Sequence, residues 1–411
     1  MGSGNHIQGA NGGAPVGMSK AEFDEVLAGA RQRYEQSQDF TLGIEEEWAL
    51  LDPETLDLVP EFERAREAAV RAGLGTSVAG ELLASEIEFL IEPCERWEDA
   101  VRAMRSLRNG VAGVLRSCGL EGAISGTHPW ADYRTQVMID APYYNELVRR
   151  MQYVARRNNT FGLHVHVGVH GADRAVRVST ALRNIQPLML ALSASSPFLD
   201  GCDSGLCSAR TMTFSRTFPR GNIAPRFDTL DDYTAYLRLL YETDSIFTPN
   251  QVWWGARPHI RHGTVELRMF DGQPDLEDTL ALAALAVGTV AHLCDLDDAG
   301  ELPVAQPAYL VDENLWRAMR SGTDARMIAL PEARTAPVHE LVSELVAAAR
   351  AASARHSLGL DPGLDRVLVL LERGSSAIWQ REAAEAAGGD LMAAYRKVAA
   401  VTMAQQPAAV V

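Results

Sequence analysis

The chain has 411 residues, 47% of them hydrophobic and 22% charged, and 38 Lys plus Arg against 54 Asp plus Glu give a net charge of −16. That composition excludes a wholly disordered chain, a collagen-like fibre and a small disulfide scaffold. So acidic a surface repels nucleic acid and anionic membranes, which leaves neither as an expected partner; a nucleotide would need a local basic site or metal ions.

The first 17 residues, MGSGNHIQGANGGAPVG, are rich in Gly and Asn and lack the apolar stretch of a signal peptide. Residues 1–18 therefore read as a disordered leader and 406–411 as a flexible tail. No long Pro/Gly/Ser linker interrupts the chain between them, so residues 19–405 read as one α+β body. Phe40 to Leu51 reads as a strand. Ser85 to Ile91 and Phe161 to Val169 alternate as strands, and Thr264 to Phe270 is another. Asp99 to Cys118 carries apolar residues at helical spacing. A long helix is expected over Ala175 to Ser195, bent by Pro187. Cys202 to Phe227 reads as a loop. Thr229 is a good N-cap for the helix that follows it. From Asp275 onward the pattern is almost entirely helical. Its most apolar run, Leu280 to Leu293, falls short of the ~20 residues a bilayer requires and reads as a buried helix. The five cysteines (Cys94, Cys118, Cys202, Cys207, Cys294) are odd in number and form no CxxC pair. They read as free thiols of a cytoplasmic protein.

Four of the strands share a peculiarity. Residues two apart on a strand point to the same face. By that rule Glu45 and Glu47 share a face, as do Glu86 and Glu88, His164 and His166, and Glu266 and Arg268. The opposite faces carry Ile44, Trp48, Ile87, Phe89, Val165, Val167, Val265 and Leu267. A sheet with one solvated face is the plain interpretation. Solvated faces usually carry lysine, and none of these four segments has any. The sharper interpretation is a carboxylate-rich site that binds protons or cations. Oxygen-rich sites with imidazole suit Mg²⁺ or Mn²⁺. Glu46 falls on the apolar face, where charge pairing competes with catalysis. The histidines are either packed strand residues or ligands. Trp253 and Trp254 read as core. The loop with Arg210, Arg216, Arg220 and Arg226 is either a phosphate or carboxylate clamp or a solvated loop.

The motifs GIEEEWALLDPET, ELLASEIEFLIEPC, GTHPWADY, FGLHVHVGV, LSASSPFLDGCDSG, ARPHIRHGTVELRMFDGQP and ENLWRAMRSGTDARMI occur in that order. Together they resemble the carboxylate–amine ligase family often labelled glutamate–cysteine ligase 2, over roughly Phe40 to Gly388. The resemblance implies a glutamine synthetase-like catalytic fold, in which a curved antiparallel sheet forms a funnel and helices pack on its outer face. It implies an ATP-dependent, ADP-forming ligase that joins a carboxylate, such as that of glutamate, to an amine through an acyl phosphate, with Mg²⁺ or Mn²⁺. The substrates implied are small molecules, and a homodimer is allowed. Carried over by motif, the metal ligands are Glu45, Glu47, Glu81, Glu88, His164 and Glu266, with His166 a neighbouring candidate. Arg268 is the phosphate contact, and Arg210 and Arg216 are further ATP-binding candidates. Arg268, Glu47 and Arg257 are the catalytic candidates. Glu81 and Glu88 are seven apart and would face oppositely on a regular strand, so a bend or bulge between them is required. Gly255 stands where many relatives carry an acidic residue. Two other functions stay in view: a metal-dependent amidohydrolase on the same funnel, and a nucleotide-binding homologue without turnover, which Gly255 would favour.

Overall fold

A computed structural model describes residues 17–329 and 334–406. Its centre is an antiparallel sheet of seven strands: β1 (Leu42–Leu51), β2 (Val78–Ala79), β3 (Glu86–Leu90), β4 (Glu121–Ala123), β5 (Gly162–Gly168), β6 (Ala256–His259) and β7 (Thr264–Asp271). Their order is β2-β3-β1-β5-β7-β6. β1 is central: β3 pairs along one edge, while β5 and β4 share the other, β5 on residues 42–46 and β4 on residues 49–51. The alternation read from sequence appears as burial. Ile44, Trp48, Ile87, Val165, Val167, Val265 and Leu267 are wholly buried in one core. Helices Trp97–Ser117, Ala172–Leu182, Gln186–Ser193 and Leu276–Ala299 contribute to that core. Leu276–Ala299 is long and apolar enough to cross a membrane by length and composition alone, and 83% of its apolar window is buried inside the fold. Its start is fixed by Asp275, whose carboxylate accepts from the Glu277 N–H.

Three local expectations are corrected. The helix expected over residues 175–195 is two helices, Ala172–Leu182 and Gln186–Ser193. Pro187 sits in the first turn of the second, where its missing N–H costs nothing, rather than at a bend in a continuous helix. The almost entirely helical pattern after Asp275 also contains a hairpin, Arg326–Ala329 paired with Arg334–Pro337, which its periodicity did not mark. The 202–227 loop contains a short helix, Ala209–Thr213, capped by the Ser208 hydroxyl. Of the leader, residues 1–16 lie outside the described residues, as do 407–411 of the tail. Met18 is tied down: its N–H donates to the Phe247 carbonyl at 3.2 Å, and the Tyr241 hydroxyl donates to its carbonyl at 2.8 Å.

Candidate active site

The ionisable face of the sheet lines a cavity. Strand register builds it. Glu47 faces Glu88 across β1 and β3, and Glu45 faces His164 across β1 and β5. His166 faces Glu266 across β5 and β7, and Glu266 faces Arg257 across β7 and β6. Directly opposed residues on one face sit close enough for their side chains to meet. A bulge interrupts the β5–β7 pairing at Leu163/Val165, so that the single residue His164 lies opposite Arg268 and Met269. Arg268 Nη1 comes within 3.4 Å of His164 Nδ1 and donates to Glu266. Glu81 reaches the cavity from outside β3, ahead of the turn in which the Glu86 N–H bonds the Leu83 carbonyl. That turn is the bend the seven-residue spacing required.

The seven proposed metal ligands gather into three overlapping groups: Glu45, Glu88 and His164; Glu45, His166 and Glu266; Glu47, Glu81 and Glu88. Within each group the candidate donor atoms lie within 4.8 Å of one another. Their electrostatics call for cations. Burial, then the neighbouring Glu47 charge, pushes Glu81 up to about 8. Burial and the surrounding glutamates likewise push Glu88 and Glu86 well above the carboxylate range. Burial works to raise Glu45 as well, but His166 and His164 outweigh it and hold this carboxyl well below its usual value. His164 Nε2 and His166 Nε2 are buried and make no hydrogen bond, although Glu47 and Glu45 lie 3.6 and 3.4 Å away. Crowded carboxylates beside uncommitted imidazole nitrogens fit a hard divalent cation.

Without a cation these carboxylates make the fold pH-sensitive. A carboxyl with a raised folded-state value binds protons more tightly folded than unfolded, so its contribution is intact below its unfolded value and is lost as pH rises. For Glu81 the window runs from 4.5 to about 8. In excess chelator the melting temperature should fall as pH rises through that window, and Mg²⁺ should raise it more at pH 8 than at pH 6. Equal Mg²⁺ shifts at both pH values in a thermal melt would contradict this.

The arginine candidates divide. Arg210 is buried on the cavity wall without a carboxylate partner among the described residues, and its Nε makes no hydrogen bond. Burial lowers its tendency to hold a proton, so an incoming anion would be its missing counter-charge. The short helix Ala209–Thr213 aims it inward, with its N–H donating to Ser196 Oγ at 3.1 Å. Arg257 is fully engaged: Nε donates to Glu266 Oε2 at 2.6 Å, and Nη1 donates to the Asn250 and Val252 carbonyls. It orients Glu266 rather than standing free for substrate. Arg216 does not line the cavity; it pairs with Asp312 at 3.1 Å. A surface carboxylate, not a phosphate site, takes its charge.

Glu46 is no part of the site. Its carboxylate lies in the core, gripped by Arg108 through Nε at 2.9 Å and Nη2 at 2.5 Å. Gly255 does not line the cavity either, and any side chain there would collide with the Gln186 amide. Sequence reasoning did not assign Glu86, Tyr143, Trp253, His259 and His262 to the site, yet all line the cavity. Glu86 was legible as the same-face partner of Glu88. His259 ends β6 two residues after Arg257 and stacks at 4.3 Å on His262, which lies in the β6–β7 turn where no alternation exists to reveal it. Tyr143 comes from helix Pro142–Met151, outside the sheet whose alternation marks the site.

The model of the family described as glutamate–cysteine ligase family 2 matches residues 41–397. The chain belongs to that family. It is 36% identical over 349 residues to "Putative glutamate--cysteine ligase 2-1" of Rubrobacter xylanophilus, covering 85% of this chain and 91% of that protein. A protein of the same name from Frankia casuarinae is 37% identical over 363 residues, covering 87% and 94%. Among solved structures, the fold is similar to glutamate–cysteine ligase of Francisella tularensis in complex with AMP, with a TM-score of 0.65 at 13% identity and 90% of each chain covered. A bifunctional glutathione synthetase from Pasteurella multocida also scores 0.65, at 14% identity, covering 93% of this chain and 54% of that one. Family membership makes the chain a carbon–nitrogen ligase of the carboxylate–amine class.

Proposed function

We propose that the chain is an ADP-forming ligase that activates a small carboxylate as an acyl phosphate and transfers the acyl group to an amine. The convergence of six glutamates, four histidines and three arginines on one cavity carries this reading. Its shape is read as a funnel, and Tyr143, Phe214, Phe218 and Trp253 are among the residues that line it. Glu45, Glu47, Glu81, Glu88, His164, His166 and Glu266 would hold Mg²⁺ or Mn²⁺. Such ions neutralise phosphate charge during phosphoryl transfer. Arg268, beside Glu266 and His164, would meet the charge that develops on the transferring phosphoryl, and Arg210 supplies a second, unpaired cation for an anionic group. The amine must attack unprotonated, and Glu47 is the proposed proton acceptor. Gly255, outside the cavity wall, gives no reason to expect lost turnover.

Two measurements test this. ATP, Mg²⁺, glutamate and a pool of amino acids and small amines should give ADP, phosphate and a new amide mass. Release of AMP and pyrophosphate, or amide cleavage that needs no nucleotide, would contradict it. None of the five cysteines lines the cavity, and all are free thiols. Burial pushes Cys207 upward and Cys294 up to about 12, away from reactive thiolate. Cys202→Ser and Cys207→Ser should retain ADP release within about twofold, since substitutions away from a site usually cost little. Complete loss in either, with the fold intact, would place a thiol in the reaction.

A further inference from the structure

Beyond the acidic cavity lies a second one of about 540 Å³, and the two share Leu147 and Trp253 as walls. Its other walls include Met151 and the three arginines Arg149, Arg150 and Arg220, against the single acid Asp244. Two of those arginines are satisfied. Arg149 and Arg150 both bind Glu146 at 2.6 Å, and Arg150 also reaches Asp244 at 2.8 Å. Arg220 has no carboxylate partner among the described residues. Its Nε donates to the Gln251 carbonyl at 2.9 Å, and its guanidinium lies 5.7 Å from the centre of the Trp253 ring. Burial works against its charge, with no carboxylate to restore it. Its backbone is in the left-handed region, φ 61, which costs strain for any residue but glycine. The fold thus holds a half-buried, uncompensated cation against an aromatic ring in a protein of net charge −16.

The glutamates of the neighbouring cavity oppose anions, and in the ligase reading its cations Arg268 and Arg210 are already taken by the transferring phosphoryl and the anionic group beside it. A substrate that brings its reacting end to those glutamates and carries a second anionic group needs a cation outside them. We infer that the outer cavity binds a carboxylate at the far end of a substrate, with Arg220 as the counter-charge and Leu147 and Trp253 against the intervening stem. This rests on the ligase reading for where the reacting end lies. The carboxylate can belong to the acyl donor or to the amine, and paired probes separate the two.

Calorimetric binding, with Mg²⁺ and ADP present, would compare glutarate with butyrate on the donor side and 6-aminohexanoate with hexylamine on the amine side. In one pair the carboxylate-bearing member should bind about ten- to a hundredfold more tightly, the range for a hydrogen bond to a charged group. Arg220→Ala should abolish that preference, and Arg220→Lys should keep part of it, which also serves if the alanine variant does not fold. Absence of a preference in both pairs with the unaltered protein overturns the inference, and so does a preference that survives in a folded Arg220→Ala. Because binding is read without turnover, a discrimination seen in a protein that releases no ADP would sink the ligase reading and leave this site standing.

Discussion

Arg268→Lys should lower kcat by about 10²–10³-fold at saturating ATP and metal, the effect of removing one preorganised transition-state contact. Burial works against the Arg268 charge, but Glu266 first and then Glu47 and Glu45 hold it firmly protonated. Its guanidinium touches Glu266 and His164 at once, and the Arg268 backbone N–H donates to the Gly255 carbonyl at 2.7 Å. Lysine keeps the charge but loses the planar fork that spans two partners. Added Mg²⁺ should not restore the rate, because the lost contact is not a metal ligand. Near-normal kcat would return the pair Glu266–Arg268 to a structural role. Glu266 itself is a poorer probe of metal binding than its strand position suggests. It is 1% exposed and already balances both Arg257 and Arg268. Burial works to raise its carboxyl, and the two arginines hold it well below the usual range.

Glu46→Ala should destabilise the protein by about 3–5 kcal/mol, because it strands the Arg108 charge in the core. Both side chains are at most 2% exposed. Arg108 also donates to the Pro274 and Gln273 carbonyls at 2.7 and 2.8 Å, and Thr279 Oγ1 donates to Glu46 Oε1 at 2.7 Å. The pair therefore clamps β1 to the segment between β7 and the start of helix Leu276–Ala299. Urea unfolding should show the loss, and a double change, Glu46→Leu with Arg108→Met, should recover much of it because no buried charge is then left alone. A loss under about 1 kcal/mol in the single variant would mean that water reaches Arg108.

The apolar face was legible because burial enforces a period of two: Ile44, Trp48, Ile87, Phe89 and Val165 all face the core as their spacing demands. The same period places Glu45 with Glu47 and Glu86 with Glu88. Which strands then meet is a matter of register, and periodicity carries no register; the motif resemblance named converging residues but not the pairings that join them. Glu46 shows the limit from the other side. Its place on the apolar face left charge pairing and catalysis both open, and the partner that decides between them, Arg108, is 62 residues away in sequence. Trp253 reads as core by composition and is 9% exposed, yet that remaining surface lies on the cavity. Arg216 and Arg210 look alike in a loop rich in arginine. Only the short helix Ala209–Thr213 and the position of Asp312 send one inward and the other to the surface.

The central claim is that a carboxylate oxygen attacks the γ-phosphorus of ATP before the amine arrives. Glutamate labelled with ¹⁸O in its side-chain carboxylate, turned over with ATP, Mg²⁺ and an accepted amine, reports that step directly. Attack by the carboxylate makes its oxygen the bridge of the acyl phosphate, and displacement by the amine breaks the carbon–oxygen bond. The label should therefore leave with inorganic phosphate, one ¹⁸O per turnover, beside unlabelled ADP. Amide formation with unlabelled phosphate, or with the label in AMP, would contradict the account.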